Sequence, residues 1–447
     1  GRPLAVGDHG DDRRNIIVWM DHRATVQAGR INAGGHRVLD YVGGAISPEM
    51  QTPKLLWLKE NLPTAYEKAW QFLDLADFLT WRATGSLSRS ICTVTCKWTY
   101  LAHEKRWDAD YFQAVGLGEL AQEGFARIGT EIVSAGELLG KGLAAEAAAE
   151  LGLTPGIPVG AGLIDAHAGG VGTVGGAATS TMAYVFGTSA CTMASSEEPL
   201  FIPGVWGPYY SAMVPGFWLS EGGQSSAGAA IDQAVALHPA AVDARKLAAE
   251  KHMSLQDFLA DMAMEQVACA SQSADLAGEL VVVPDFIGNR APFARPDARA
   301  AIAGLGMERD MRSLVALYVA AVLGVGYGLR QIIGVSRARG MGIDRIALSG
   351  GAGRHSLVRQ LLADCTGVPV SVSRQAEPVL LGAAMLGASA SGAYALLQDA
   401  MAGMTGEADL HTPAGGRIAA IHQRRFDAFE ALQKVAHSLA GIGTRET

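Results

Sequence analysis

At 447 residues, 49% apolar and 18% charged, the chain is long enough for two hydrophobic cores and too apolar to be disordered. Its formal net charge of −8, with acids and bases interspersed, excludes a basic face for nucleic acid or an anionic membrane. The five scattered cysteines, Cys92, Cys96, Cys191, Cys269 and Cys365, read as reduced thiols of a cytoplasmic protein, not as a disulfide framework. Cys92 and Cys96 share a helix face, but without His or Cys neighbours in sequence they make a poor zinc site, and no metal ligand is assigned. The most apolar helical run, Leu314 to Leu323, ends at Gly324, too short for a bilayer.

The chain opens on Gly1 and a turn-like run that leads into an apolar strand, Ile16 to Trp19, as if a domain were entered part-way. The following strand-to-helix joint gathers Trp19, Asp21 and Arg23. An aromatic face beside a carboxylate and a guanidinium suits a polyol, and a core Trp with a surface ion pair is the competing reading. Residues 48–61 predict a loop and an amphipathic helix, residues 65–83 a second helix, and residues 105–155 a helical region rich in Ala, Glu and Leu. Between them, CTVTCKWTYL carries Lys97 among apolar and hydroxyl residues, where it either snorkels to water or reaches a ligand.

PVGAGLIDAHAGGVGTVGG predicts a buried strand over Val159 to Ile164 that ends on one carboxylate, Asp165. An acid there projects into the crevice beyond a sheet, or else caps the next helix. TSTMAYVFGTSACTMAS reads as strand, turn and strand, and the turn Gly187, Thr188, Ser189 offers N–H groups and hydroxyls to a phosphate, or is a plain hairpin. Glu221 and Gln224 flank two glycines ahead of a helix. In IALSGGAGRHSLVRQLLADCTGVPVSV, a strand (Ile346 to Leu348) leads through Gly350, Gly351, Ala352 and Gly353 to a helix, a joint that can admit a nucleotide against the backbone. No P-loop motif is present.

The strings WMDHRA, PKLLWLKEN, LIDAHAGGVG, FGTSA, EGGQS, GNRAP, LSGGAG and EPVLLGAAMLGA, in this order, resemble the FGGY carbohydrate kinases, and among them the ribulokinase-like pentulose kinases. The resemblance implies an α/β protein of two ribonuclease H-like domains, of the actin and sugar-kinase superfamily, around an interdomain cleft. It divides the chain into residues 1–176 on the sugar side and 177–447 on the nucleotide side. It further implies Asp165 as general base; Trp19, Asp21, Arg23, Lys97, Glu221 and Gln224 against the sugar; Gly187, Thr188 and Ser189 on the ATP phosphates; and Gly350, Gly351, Ala352 and Gly353 along the adenosine. The cofactors would be ATP and Mg²⁺, the partner a small sugar, with no nucleic acid or membrane, and a homodimer is open as an assembly.

Three departures accompany the resemblance. The Asp-x-Gly-Thr/Ser phosphate loop that opens the family is not in this chain, so roughly the first 80 to 90 residues of the pattern are expected to be absent and the first domain N-terminally incomplete. His355 stands where relatives carry Asn, and Arg295 and Ala300 stand where Asp and Gly are common. The function implied is transfer of the γ-phosphoryl of ATP to the terminal hydroxyl of a ketopentose, with D-ribulose first. The alternatives are ribitol, L-ribulose, xylulose or glycerol as acceptor, a catalytically silent binding relative, a metal hydrolase using Asp165 and His167, and an oxidoreductase using Gly351 to Ser356.

Overall fold

The structure, a computed structural model, describes residues 2–7, 11, 13–375 and 377–439. Up to Gly176 it is built from short helices: α1 (Thr25–Ala33), α2 (Gln51–Asn61), α3 (Pro63–Lys68), α4 (Leu75–Thr84), α5 (Ile91–Trp98), α6 (Ala109–Ala114), α7 (Gly118–Gln122) and α8 (Ala145–Leu151). One parallel pair, β1 (Arg89–Ser90) with β2 (Ile132–Val133), accompanies them. Their apolar faces meet in a core that includes Leu55, Leu56, Trp98, Tyr111, Phe112 and Leu120.

Several expected elements differ here. Ile16 to Trp19 pairs with no strand among the described residues, Trp19 already lies in a turn closed by the Asp21 N–H on the Val18 carbonyl, and Ile16, Val18 and Trp19 are more than half exposed. Apolar content makes a strand only when a neighbour takes its backbone groups. The helix expected over 65–83 splits into α3 and α4, because the link between them is extended and the Phe72 N–H donates to the Arg127 carbonyl at 2.8 Å. The region 105–155 yields three short helices and β2, interrupted by glycines in the left-handed region such as Gly116, Gly124 and Gly129. Val159 to Ile164 also lacks a ladder, making a single bridge from Gly160 to Leu138. Asp165 therefore follows an extended link, with Ile164 at the N-cap, and is the first residue of α9 (Asp165–Val174).

The remainder contributes β3 (Thr181–Phe186), β4 (Ala190–Ser196), β5 (Trp206–Tyr210), β6 (Trp218–Gln224), α10 (Gly228–Ala236), α11 (Ala241–Glu250) and α12 (Leu255–Met264). After these come β7 (Val281–Val283), β8 (Ala301–Ala303), α13 (Met311–Arg337), β9 (Arg345–Ser349), α14 (Ser356–Thr366) and β10 (Val370–Ser373). The last elements are α15 (Pro378–Ala390), α16 (Leu397–Met404), β11 (Ala408–His411) and α17 (Gly416–Ser438). Seven strands form one sheet in the order β11-β10-β9-β3-β4-β6-β5. β3, β4 and β6 are antiparallel neighbours, and β9 and β10 extend from β3 in parallel, the ribonuclease H-like arrangement.

Alternation along β3 decides what covers each face of this sheet. Met182, Tyr184 and Phe186 enter the core made with α13 and α14, whereas Ala183 and Val185 face the core that holds α9 and the first-half helices. Helix α9 is thus packed between the sheet and α15.

The apolar helix expected to stop at Gly324 instead runs 27 residues, from Met311 to Arg337. It is long and apolar enough by composition to cross a membrane, but most of it is buried inside the protein. Its glycines are contact points: a Cβ at Gly324 would lie 2.2 Å from the Val282 carbonyl oxygen, and one at Gly326 2.8 Å from the Cys365 side chain. Close packing on β7 and α14 thus offsets the roughly 1 kcal/mol per residue by which glycine disfavours a helix.

Candidate active site

Asp165 is exposed at the first turn of α9, where its carboxylate accepts from the Ala166 N–H at 2.7 Å. No ion pair engages it among the described residues. Two residues on, the same helix turns His167 inward, where it is 1% exposed. Its Nε2 lies 3.3 Å from Glu221 Oε2, on β6, and its Nδ1 3.1 Å from Cys92 Sγ, on α5. One ring therefore ties the start of α9 to the sheet and to the first half of the chain.

Glu221 is buried, which alone would favour its neutral form. The hydrogen bond to His167, followed by the charges of His167, Lys97 and Arg290, brings its pKa down to about 2. Burial likewise disfavours the charge on Lys97, but Glu221 above all, with Cys96, Glu49 and Asp74, raises its pKa. The Lys97 ammonium lies 5.8 Å from the centre of the Trp206 ring, and the Arg290 guanidinium 5.6 Å from it. An ionised acid, a lysine, an arginine and an indole face are thus assembled beside the helix that begins with Asp165. That set can take several hydroxyls and one apolar ring or chain face. Lys97→Met is expected to raise the KM for sugar about 10- to 100-fold with little change for nucleotide, as for a lost hydrogen bond to a charged group, measurable by steady-state kinetics with each substrate varied in turn.

The other expected sugar residues are placed less simply. Asp21 and Arg23 pair with each other at 2.7 Å, and the Arg23 guanidinium stacks 4.3 Å from the Trp57 ring centre. The Trp19 side chain is 59% exposed, and its carbonyl, with that of Val18, accepts from the Lys54 ammonium. Asp21 and Arg23 form one pair and Trp19 an exposed ring beside it in sequence, and the charge of Lys54 interacts with both Asp21 and Lys97. Gln224 is committed to the core: Oε1 accepts from the Tyr184 hydroxyl at 2.8 Å and Nε2 donates to the Val325 carbonyl at 3.0 Å. One N–H and one lone pair of the amide remain beyond these two bonds, and Gln224 lines a pocket together with Arg290 and Asn289.

The two glycine turns expected to meet nucleotide come together in space. A Cβ at Gly350 would stand 2.4 Å from the Phe186 carbonyl oxygen, immediately before the Gly187 turn. One at Gly228 would stand 2.7 Å from the Gly187 carbonyl oxygen and 3.2 Å from Ala352 Cβ. The N–H groups of Ala227, Gly228 and Ala229 hold the Gly187 and Thr188 carbonyls at 2.9 to 3.2 Å, and no bond engages the Thr188 or Ser189 hydroxyl among the described residues. Three backbone segments with no side chain between them make a cradle of the sort phosphates and a nucleoside need. His355 is the N-cap of α14, with Nδ1 accepting from the Leu357 N–H at 3.1 Å and Nε2 3.0 Å from Asp261, so the helix start is capped without the Asn that the resemblance leads one to expect. Arg295 pairs with Asp297, and nothing in the structure explains Ala300.

Sequence reasoning missed Trp206, Arg290, Gly228 and the Cys92–His167–Glu221 contact. Arg290 lies within the GNRAP string and was legible there, whereas Trp206 and Gly228 carry no local signal that separates them from ordinary strand and helix-start residues.

The FGGY carbohydrate kinase family profiles match this arrangement in order, the N-terminal domain over residues 6–172 and the C-terminal domain over residues 182–391. The chain belongs to the FGGY family of carbohydrate kinases, ATP-using phosphotransferases. It is 46% identical to the human FGGY carbohydrate kinase domain-containing protein over 416 residues, covering 90% of this chain and 75% of the relative. It is 37% identical to the D-ribulokinase of Saccharomyces cerevisiae over 423 residues, covering 87% and 59%. Among solved structures, ligand-bound xylulose kinase from Lactobacillus acidophilus superposes with TM-score 0.78 at 20% identity, over 99% of this chain and 84% of that one. Plasmodium falciparum glycerol kinase with ADP gives TM-score 0.74 at 17% identity, over 95% and 79%. The two-domain sugar-kinase fold expected from the sequence is the fold observed.

Proposed function

We propose that the chain phosphorylates the terminal hydroxyl of a ketopentose, D-ribulose giving D-ribulose 5-phosphate, as a cytoplasmic enzyme whose sugar and nucleotide sides meet near the boundary between residues 1–176 and 177–447. The observation that carries this is the tie through His167, two residues along α9 from the exposed carboxylate of Asp165, whose ring contacts Glu221, which in turn interacts with the charge of Lys97. The 37% identity to the yeast D-ribulokinase supports the choice of sugar.

In this reading Lys97 and Glu221, beside the Trp206 face and Arg290, hold the sugar, with Trp19, Asp21 and Arg23 at the rim. Asp165 takes the proton of the terminal hydroxyl as that oxygen bonds to the γ-phosphorus and the bond to the departing ADP oxygen breaks. Because phosphoryl transfer is loose, the carboxylate chiefly positions the hydroxyl and accepts its proton late. Gly187, Thr188 and Ser189 contact the phosphates and Gly350, Gly351, Ala352 and Gly353 line the adenosine, in the cradle that a Cβ would fill. Magnesium, when bound with ATP, would supply charge neutralisation, and no side chain of this chain is assigned to hold it.

The test is an ADP-release assay across D-ribulose, L-ribulose, xylulose, ribitol and glycerol. D-ribulose is expected to give the highest kcat/KM; preference for a different acceptor would replace the sugar assigned, and sugar binding without ADP formation would select the catalytically silent reading.

A further inference from the structure

Cys92, His167 and Glu221 come from three elements that the chain order keeps apart: α5, α9 and β6. All three are buried, and Cys92 is fully enclosed. The ring lies 3.1 Å from Cys92 Sγ through Nδ1 and 3.3 Å from Glu221 through Nε2. With an ionised Glu221 accepting, Nε2 must carry the proton, whichever partner holds the proton on the Nδ1 side. The Ile164 N–H, immediately before Asp165, points to Cys92 Sγ at 3.5 Å, so the same thiol contacts the chain on both sides of the proposed base. Cys96 stands one turn along α5, with its sulfur within 4.8 Å of the other two groups. The group facing Glu221 from the first half of the chain is Lys97, the next residue after Cys96.

Nothing in this arrangement brings His167 to the substrate, since it is sealed behind Glu221. We propose that His167 is a positioning residue for phosphoryl transfer, clamped by Cys92 so that its Nε2–H aims the Glu221 carboxylate at the sugar and its ring fixes the rotation of the helix that begins with Asp165. This rests on the assignment of Glu221 and Lys97 to the sugar and of Asp165 to the base. It also accounts for the otherwise inert thiol, because a ring held at one nitrogen only could swing about its Cα–Cβ bond and carry the carboxylate's hydrogen bond with it. The mutual contacts of the trio, not its burial, account for its electrostatics. Burial works against charge on the ring, but Cys92 and then Glu221 raise its pKa to about 10, and the Cys92 thiol falls to about 5 against its own burial through Cys96 and His167.

The experiment compares His167→Ala, His167→Gln and Cys92→Ser in the full chain, with Lys97→Met alongside, measuring KM for sugar, KM for ATP, kcat and the thermal midpoint. Glutamine retains an Nε2 donor for Glu221 and loses the Cys92 clamp, so the proposal expects graded effects. His167→Ala should raise the sugar KM about 10- to 100-fold at unchanged ATP KM, His167→Gln should recover most of the sugar KM but not kcat, and Cys92→Ser should lower kcat alone. Equal KM values for sugar in His167→Ala and the parent, with Lys97→Met impaired, would overturn the positioning role and leave the site assignment standing. If Lys97→Met were also normal, the site assignment itself would fall, and the proposal with it. Parallel loss of sugar and ATP affinity in folded His167→Gln would reduce His167 to a structural part. Zinc retained at one ion per chain through dialysis and lost in Cys92→Ser would show the ring to be a metal ligand and would likewise overturn it.

Discussion

Asp165→Asn is expected to lower kcat by about 10²- to 10⁴-fold while ATP binding, measured by calorimetry, is retained. The amide has the same shape and can still accept from the Ala166 N–H, so the start of α9 should not move. What it loses is the capacity to take a proton, together with a negative charge that orients the attacking hydroxyl. The glycine cradle made by Gly187, Gly228 and Gly350 lies on other elements, and its backbone contacts do not involve Asp165. Turnover equal to that of the parent would remove Asp165 from the role of base.

The second large effect is expected at the crossing of α9 and α15, where two glycines let the helices touch backbone to backbone. A Cβ at Gly172 would lie 2.1 Å from the Pro378 carbonyl oxygen, and one at Gly382 1.9 Å from the Ala168 carbonyl oxygen. Gly382→Ala must therefore push the helices apart, at a cost of about 2–3 kcal/mol and more if the backbone cannot shift. Gly387→Ala on the same helix is the control: nothing lies within 4 Å of its added methyl group. There the gain in helix propensity should leave stability unchanged or raise it by up to about 1 kcal/mol. Denaturant unfolding of the two variants checks this, and equal stabilities would show that the crossing has room to spare. Because Gly382 packs on Ala168, the residue after His167 and three after Asp165, Gly382→Ala should also lower kcat more than Gly387→Ala does.

The sequence made the second half of the fold readable and the first half much less so. Strands β3 and β4 were legible because a turn at Gly187 to Ser189 divides two apolar runs, whereas β6 was hidden by the two glycines that it carries inside its ladder. Ile16 to Trp19 and Val159 to Ile164 have equally apolar composition, yet neither finds a ladder, because pairing depends on a neighbour that local pattern does not specify. Gly324 was read as the end of a helix when it is a contact within one; local propensity disfavours it, and packing against Val282 decides. Within the site, Asp165, Lys97 and Glu221 stood out through their motifs. The partnership of Cys92 with His167 spans 75 positions of sequence and has no local signature, which is why a lone pair of thiols on α5 looked purposeless.

Helix α13 has a consequence for how the protein is made. Its buried surface is covered partly by elements already synthesised, β7 and α12, and partly by α14 and α17, which follow it. At about 5–20 residues per second, the stretch from Arg337 to Cys365 takes on the order of 1–6 s to appear. For that interval a 27-residue apolar helix with the hydropathy of a membrane span lacks the cover of α14 on the glycine face that Cys365 will meet. Closure of this face is therefore a late event in the making of the chain, and it depends on Gly326 leaving room for the Cys365 side chain.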